Sequence, residues 1–249
     1  MTAPPPPTAV YRLHTSPVSS LCYLDKLHLM SGSQSGQMLL VHRPTRRTVH
    51  ALEFPSAILA LQKSPSAYLV QTRSSGIFMY DSAINEECMR LDPKSASFCR
   101  CSLLSHPLLL ASAGSDENEL LVWDLKSSPK PIFSFAEKSH GMVMDTKFIN
   151  EHHVAAVYED GQLLVFSISS PQSPLISLTV QQNKNVATSF DLFAANNSLT
   201  SFSGLAGGST DELTSFSFDL NSLDTSTLQL PASETPGRGK GVVRAYFFS

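Results

Sequence analysis

Leu109-Leu-Ala-Ser-Ala-Gly-Ser-Asp-Glu-Asn-Glu-Leu-Leu-Val-Trp123-Asp124-Leu125 reads as a short strand ending in small residues, a polar turn, and a second strand that finishes on a large apolar side chain. The same phrase recurs on both sides of it. It reads Leu29-Met-Ser-Gly-Ser-Gln-Ser-Gly-Gln-Met-Leu-Leu-Val41 and Tyr68-Leu-Val-Gln-Thr-Arg-Ser-Ser-Gly-Ile-Phe-Met-Tyr80 before it, and Val154-Ala-Ala-Val-Tyr-Glu-Asp-Gly-Gln-Leu-Leu-Val-Phe166 after it. A weaker fifth copy runs from Phe202 through Thr210 to Phe218-Asp-Leu.

With Val41, Tyr80, Trp123, Phe166 and Phe218 taken as equivalent, the spacings are 39, 43, 43 and 52 residues. The first three match the ~40 to 45 residues of a WD40 blade, and Trp123-Asp124 is the WD dipeptide itself. The longer fourth gap contains Ala194-Ala-Asn-Asn-Ser-Leu-Thr-Ser, expected as a surface-loop insertion that leaves the strands undisturbed. Gly36, Gly76 and Gly161 stand just before the third strand of their copies, where a tight hairpin needs φ > 0, and Asn118 takes that place in the third copy. The apolar residues alternate over short runs, and no stretch keeps a helical period. A sandwich also has short strands but does not repeat one turn motif at a near-constant period. The expected fold is an all-β WD40 β-propeller of about five blades plus a stub, incomplete relative to a seven-bladed ring. The blades are expected at 10–54, 55–91, 97–135, 140–180 and 184–230, after a flexible Pro-rich leader at 1–9 and before a stub of a sixth blade or a disordered tail at 231–249.

Composition narrows the function classes. The 249 residues carry a net charge of -3 and only 16 % charged residues, and 38 serines make up the polar surface. Without a basic excess, an electrostatic nucleic-acid binder is excluded, and no anionic membrane is implied. The longest apolar stretches, such as Pro107 to Ala113, fall short of the ~20 residues of a membrane helix. The proline run Met1 to Thr8 lacks the regions of a secretory signal. An intracellular protein is expected, and Cys22, Cys88, Cys99 and Cys101 are expected as buried free thiols.

Several segments resemble one WD-repeat family, that of the guanine nucleotide-binding protein β-subunit-like protein and its fungal counterpart, the ASTRA-associated WD-repeat subunit. They are the Pro-rich leader with Ser16-Pro-Val, Ser31-Gly-Ser-Gln-Ser-Gly, Thr45-Arg-Arg, Ser97-Phe-Cys-Arg100, Gly114-Ser-Asp-Glu117, Gly141-Met-Val-Met and Tyr158-Glu-Asp-Gly161, in the family's order from about Pro4 to about Leu220. The resemblance implies a propeller without enzymatic activity that acts as an adaptor. Its setting would be the co-chaperone assembly that matures phosphatidylinositol-3-kinase-related kinases or, in fungi, the chromatin-linked ASTRA complex, in nucleus, cytoplasm or both. Two departures stand out. Family members have about seven blades, and Val41-His42 occupies the place where the first blade usually carries Trp-Ser or Trp-Asp.

No Gly-x-Ser-x-Gly elbow, His-Glu-x-x-His or paired cysteine metal motif occurs, so no catalytic, cofactor or metal residues are expected. Cys99-x-Cys101 reads as strand packing, His152-His153 as a solvated blade turn, and Gly207-Gly208 as a turn or flexible loop. Gly237-x-Gly239-x-Gly241 lacks the strand–loop–helix setting of a phosphate site. Arg46, Arg47 and Arg100 are the candidate partner contacts, because arginine is enriched in binding hot spots. Asp116 and Asp160 are expected to tie turn backbone, alongside the structural positions Gly36, Gly76, Trp123, Asp124 and Gly161. Two rival readings meet contrary residues. A G-protein β-like signalling subunit needs an N-terminal coiled-coil helix, where Met1 to Val10 is proline-rich. A ligand-binding propeller needs polar inner strands, where Leu110, Ala111, Ala155 and Ala156 are apolar or small.

Length closes the sequence reading. Seven blades at ~42 residues need about 290 residues, so 249 hold five and a fragment. A truncated member with exposed sheet edges and poor solubility is expected.

Overall fold

The computed structural model describes residues 9–127, 130–136, 138–170, 172–181, 185–195, 198–209 and 213–230. The Pro-rich run Met1 to Thr8, the stub and its Gly237-x-Gly239-x-Gly241 lie outside the described residues, as do Asn196 and Asn197 of the expected insertion. The chain divides into two compact units, Met1–Cys88 and Met89–Ser249.

The first unit holds two four-stranded antiparallel meanders. One is built of β1 (Val18–Tyr23), β2 (His28–Ser33), β3 (Gln37–His42) and β4 (Arg47–Glu53). The other is built of β5 (Ile58–Lys63), β6 (Ala67–Thr72), β7 (Ile77–Asp81) and β8 (Glu87–Leu91), and the division between units falls within β8. The second unit holds three more. They are β9 (Ser102–Leu104), β10 (Leu109–Ala113), β11 (Glu119–Asp124) and β12 (Phe133–Ala136); then β13 (Val143–Phe148), β14 (His153–Tyr158), β15 (Gln162–Ser167) and β16 (Ile176–Thr179); then β17 (Ala187–Ala194), β18 (Ser201–Gly208), β19 (Leu213–Asp219) and β20 (Thr225–Leu230). Lys138–His140 form a 3-10 turn.

The second and third strands of these sheets are where the repeated phrase falls. Met38 to Val41, Ile77 to Tyr80, Leu120 to Trp123 and Leu163 to Phe166 are each four consecutive buried residues. This differs from the alternation expected of short antiparallel strands. The reason is that both faces of such a strand are covered, so every side chain must be apolar. In the second unit one core cluster joins Leu109, Ala111, Leu120 and Val122 to Val154, Ala156, Leu164 and Phe166; the next joins Ala155, Val157, Leu163 and Val165 to Phe190, Phe202, Phe216 and Phe218. Successive residues of β14 thus serve successive cores. Alternation is kept in β19, where Thr214, Phe216 and Phe218 are buried and Ser215, Ser217 and Asp219 are partly exposed.

The hairpin glycines have the conformation their position demands. Gly36, Gly76 and Gly161 have φ of 91°, 106° and 87°. At Gly36 and Gly161 the φ goes with a backbone contact that no side chain fits. The Gly36 carbonyl accepts from Phe54 N–H at 2.9 Å and the Gly161 carbonyl from Val180 N–H at 2.8 Å, and a Cβ would stand 2.1 Å from Phe54 O or 2.4 Å from Gln181 O. The glycine therefore seats the end of the fourth strand as well as turning the hairpin.

Three local expectations are corrected. Asn118 is not among the residues with positive φ, because the third sheet spans its hairpin with five residues. There Glu119 N–H reaches Asp116 O at 2.8 Å and Gly114 N–H reaches Glu119 O at 2.8 Å, which closes the loop with ordinary dihedrals. Gly207-Gly208 is no loop but the buried end of β18, where a Cβ on Gly208 would stand 2.1 Å from Val186 O. The long fourth spacing also comes partly from the strands themselves, since β17, β18 and β19 have 8, 8 and 7 residues.

Candidate functional site

The turns carry the recurring polar chemistry. Asp124 follows Trp123 at the end of β11, and its Oδ1 accepts from Lys126 N–H at 2.9 Å. These bonds hold its carboxyl below the usual carboxylate range, through the backbone N–H of Lys126 and then the side chain of Ser127. The equivalent aspartates accept from turn N–H groups in the same way. Asp81 Oδ1 accepts from Ala83 N–H at 2.8 Å, and Asp219 Oδ1 from Asn221 and Ser222 N–H at 2.8 and 3.0 Å. Asp219 also accepts from the hydroxyls of Ser201 and Thr200; with the Ser201 hydroxyl first among the causes, its pKa falls to about 2. Asp81 and Asp219 are visible in the sequence once Tyr80-Asp81 and Phe218-Asp219 are aligned with Trp123-Asp124. The aspartate of the dipeptide thus closes the turn into the fourth strand. Asp124→Ala should lower the thermal midpoint by a few degrees while Asp124→Asn, which keeps Oδ1, leaves it in place; a melting curve of each variant checks this.

A second turn type was not anticipated. Between the first and second strands, Asp25 Oδ1 accepts from Leu27 and His28 N–H at 2.6 and 2.8 Å, and Asn150 Oδ1 accepts from His152 and His153 N–H, both at 2.9 Å. In each, the histidine three residues on turns its Nδ1 back to the same side chain. His152 is exposed beside Glu151, with Nε2 3.3 Å from Oε1. Histidines also brace the entries to two sheets. His14 Nδ1 lies 3.1 Å from Gln37 Oε1 and its Nε2 2.9 Å from Ser31 Oγ; His140 Nδ1 lies 2.7 Å from Asp160 Oδ2. Asp160 Oδ1 accepts from Gln162 N–H at 3.0 Å. Asp116 contributes its carbonyl to the Glu119 turn.

Arg46 and Arg47 are both exposed, the first in the turn joining β3 to β4 and the second at the start of β4. Arg46 has φ 57° and donates its N–H to His42 O at 2.8 Å, and Arg47 opens β4 opposite His42. Arg100 belongs to the second unit, half-buried and bridged to Asp145 in parallel register. Its carbonyl accepts from Thr146 Oγ1 at 3.0 Å.

That contact identifies the strands that line the inner edge of the sheets. First strands meet first strands: Ser20 Oγ accepts from Leu61 N–H at 3.0 Å, Ser102 Oγ from Phe148 N–H at 3.1 Å and Asp145 Oδ2 from Phe190 N–H at 3.4 Å. Leu110, Ala111, Ala155 and Ala156, expected on inner strands, are on the second strands β10 and β14 and buried between sheets. Two of the first strands, β13 and β17, are joined by a polar pair, with Lys147 Nζ 3.4 Å from Asp191 Oδ1. Burial pushes the Asp145 carboxyl up to about 6, partly offset by Lys147 and the N–H of Phe190. Beside it, burial drives the Cys99 thiol well up and Cys101 to about 12, so both remain protonated packing residues. Cys22 is only half-buried and Cys88 exposed, contrary to expectation, because they lie on a first and a fourth strand, outside the two-sided layers.

No family model and no curated protein matches the chain. Solved structures do. A chain of the mitotic checkpoint complex matches with a TM-score of 0.72 at 18 % identity, covering 90 % of this chain and 68 % of that one. The sheets are blades of a WD40-like propeller. The computationally designed Ika8 protein matches with a TM-score of 0.65 at 16 % identity, over 85 % of this chain and 61 % of that chain. This chain therefore spans less than two thirds of the designed protein. Likeness at such identities speaks to fold alone. Among the described residues no group of three or more His, Cys, Asp or Glu side chains is placed to hold a metal ion, and no helix is long and apolar enough to cross a membrane.

Proposed function

We propose that the chain is a non-catalytic WD-repeat scaffold that holds protein partners on its blade turns, with Arg46, Arg47 and Arg100 as contacts. The observation that carries this reading is the blade construction itself. Second and third strands buried on both faces form a stiff frame, and turns closed by Asp81, Asp124, Asp160 and Asp219 present side chains at set positions on it. The specific setting, a co-chaperone assembly for phosphatidylinositol-3-kinase-related kinases or an ASTRA-type complex in nucleus or cytoplasm, draws its support from the ordered segments Thr45-Arg-Arg, Ser97-Phe-Cys-Arg100 and Tyr158-Glu-Asp-Gly161. Neither cofactor, nucleotide, nucleic acid nor membrane enters this reading. Affinity purification of the tagged chain should recover co-chaperone subunits, and Arg46→Glu with Arg47→Glu should reduce that recovery severalfold. Recovery of no such subunit would remove the specific assignment.

A further inference from the structure

His28 opens β2 and His42 closes β3, and the strand register sets them directly opposite each other. Arg43 N–H donates to Leu27 O at 2.7 Å, so Leu27 and Arg43 are a hydrogen-bonded pair. The alternation of an antiparallel ladder then makes His28 and His42 a non-hydrogen-bonded one. Their backbone groups agree with this. His28 N–H donates to Asp25 Oδ1 at 2.8 Å and its carbonyl accepts from Leu24 N–H at 3.0 Å, while His42 O accepts from Arg46 N–H at 2.8 Å. Opposed side chains stand closest at such a pair, and the two imidazole centroids are 5.3 Å apart with the rings tilted by 49°. Both rings end the row of Met30 and Leu40, the face that packs on the second sheet within the first unit. With that covering sheet in place both histidines are still only half-buried, so solvent reaches them at the turn end of the sheet.

Each ring is held through one nitrogen and offers the other. His28 Nδ1 lies 2.8 Å from Asp25 Oδ2, and His42 Nδ1 lies 2.8 Å from Thr45 Oγ1. A carboxylate only accepts, so Asp25 keeps the proton of His28 on Nδ1 and leaves the lone pair on Nε2; the Thr45 hydroxyl can accept in the same sense. Neither Nε2 has a hydrogen-bond partner among the described residues. An acceptor behind Nδ1 with Nε2 open is the arrangement that orients histidine toward a metal ion. An ion about 2.0 to 2.1 Å from each Nε2 stands roughly 3.2 Å from each centroid, and the centroid separation of 5.3 Å then subtends about 110°, close to the tetrahedral angle. Arg43 lies over Tyr23, on the opposite face of the sheet. Arg47 is the cation in the same row, opposite His42 on β4 and exposed. Among the described residues no third His, Cys, Asp or Glu completes the set, which leaves two tetrahedral positions for water.

We propose that His28 and His42 bind a Zn²⁺-class divalent ion through their Nε2 atoms, with water in the remaining positions and with Asp25 and Thr45 orienting the rings. The ion pins the turn before β2 to the turn after β3, beside Arg46 and Arg47. The site stands independently of the scaffold reading.

The test is calorimetric titration of the full chain with Zn²⁺, with Mg²⁺ as control. One equivalent of Zn²⁺ should bind and Mg²⁺ should not, because a hard ion prefers oxygen ligands to imidazole. His28→Gln and His42→Gln should each weaken Zn²⁺ binding at least about tenfold, and Asp25→Asn, which removes the carboxylate behind Nδ1, about tenfold. Arg47→Glu sets a carboxylate beside His42 and should strengthen binding severalfold. His152→Gln with His153→Gln removes the adjacent histidines of the fourth sheet and should leave binding in place. Zn²⁺ should raise the thermal midpoint of the wild type and not that of His42→Gln; equal midpoints without Zn²⁺ confirm that the variants fold. No binding of Zn²⁺, binding unchanged in both His28→Gln and His42→Gln, or binding lost only in the His152–His153 variant would overturn the proposal, the last by showing an adventitious surface site.

Discussion

Phe166→Ala is expected to destabilise the second unit by about 3–5 kcal/mol, the largest loss from any single truncation proposed for this protein. Phe166 is fully buried on β15, with its ring centroid 4.5 Å from that of Phe135 and 5.9 Å from that of Phe133. It joins the third sheet to the fourth. The cavity left by removing the ring cannot collapse readily, because β15 is paired on one side with β14, where Val154 faces Phe166, and on the other with β16. Lost apolar contact and residual void both add to the cost. Urea denaturation of the wild type and the variant measures it. Phe166→Leu, which keeps most of the volume, should cost less than about half as much, and a loss under about 1.5 kcal/mol for the alanine variant would show that the sheets relax into the gap.

Asp145→Asn is expected to stabilise the protein near neutral pH and to flatten its stability between about pH 4 and pH 6. The carboxyl is buried, and its pKa stands at about 6 in the folded chain against an ordinary value of 3.8. Desolvation is the dominant cause. The sign follows from proton counting. Across that window the folded state holds a proton the unfolded chain has released, so stability falls as pH rises from about 4 through 6, by an amount on the order of 3 kcal/mol. Asparagine removes the charge and keeps one oxygen, which can take the place of Oδ1 and accept from Thr146 N–H at 3.0 Å, giving up only the longer 3.4 Å bond from Phe190 N–H to Oδ2. Urea midpoints at steps from pH 4.5 to 7.5 should therefore decline in the wild type and stay nearly level in the variant. Equal slopes in the two proteins would show that the carboxylate keeps its solvation in the fold.

These two residues mark how far the sequence could be read. Phe166 was legible, because a large apolar residue closing a Leu-Leu-Val run recurs at a near-constant period and can be satisfied only between two layers. Asp145 was not. Nothing in Val143-Met-Asp-Thr-Lys147 distinguishes a carboxylate on a buried inner edge from one in solvent. Its environment is made by Arg100, just before β9, and by Phe190 on β17, each about 45 residues away.

By itself the sequence determined the unit of construction: five strand–turn–strand phrases, glycines where the hairpin must turn through positive φ, and Trp123-Asp124 as the pattern of a closed turn. Those features are local, set by side-chain periodicity and backbone freedom within about ten residues. The tertiary structure decided which strands meet along the inner edge and that Gly207-Gly208 lies within a buried strand. Each of these depends on sheets or segments distant in the chain packing together, and burial between layers is a property of the pair that no single stretch of sequence contains.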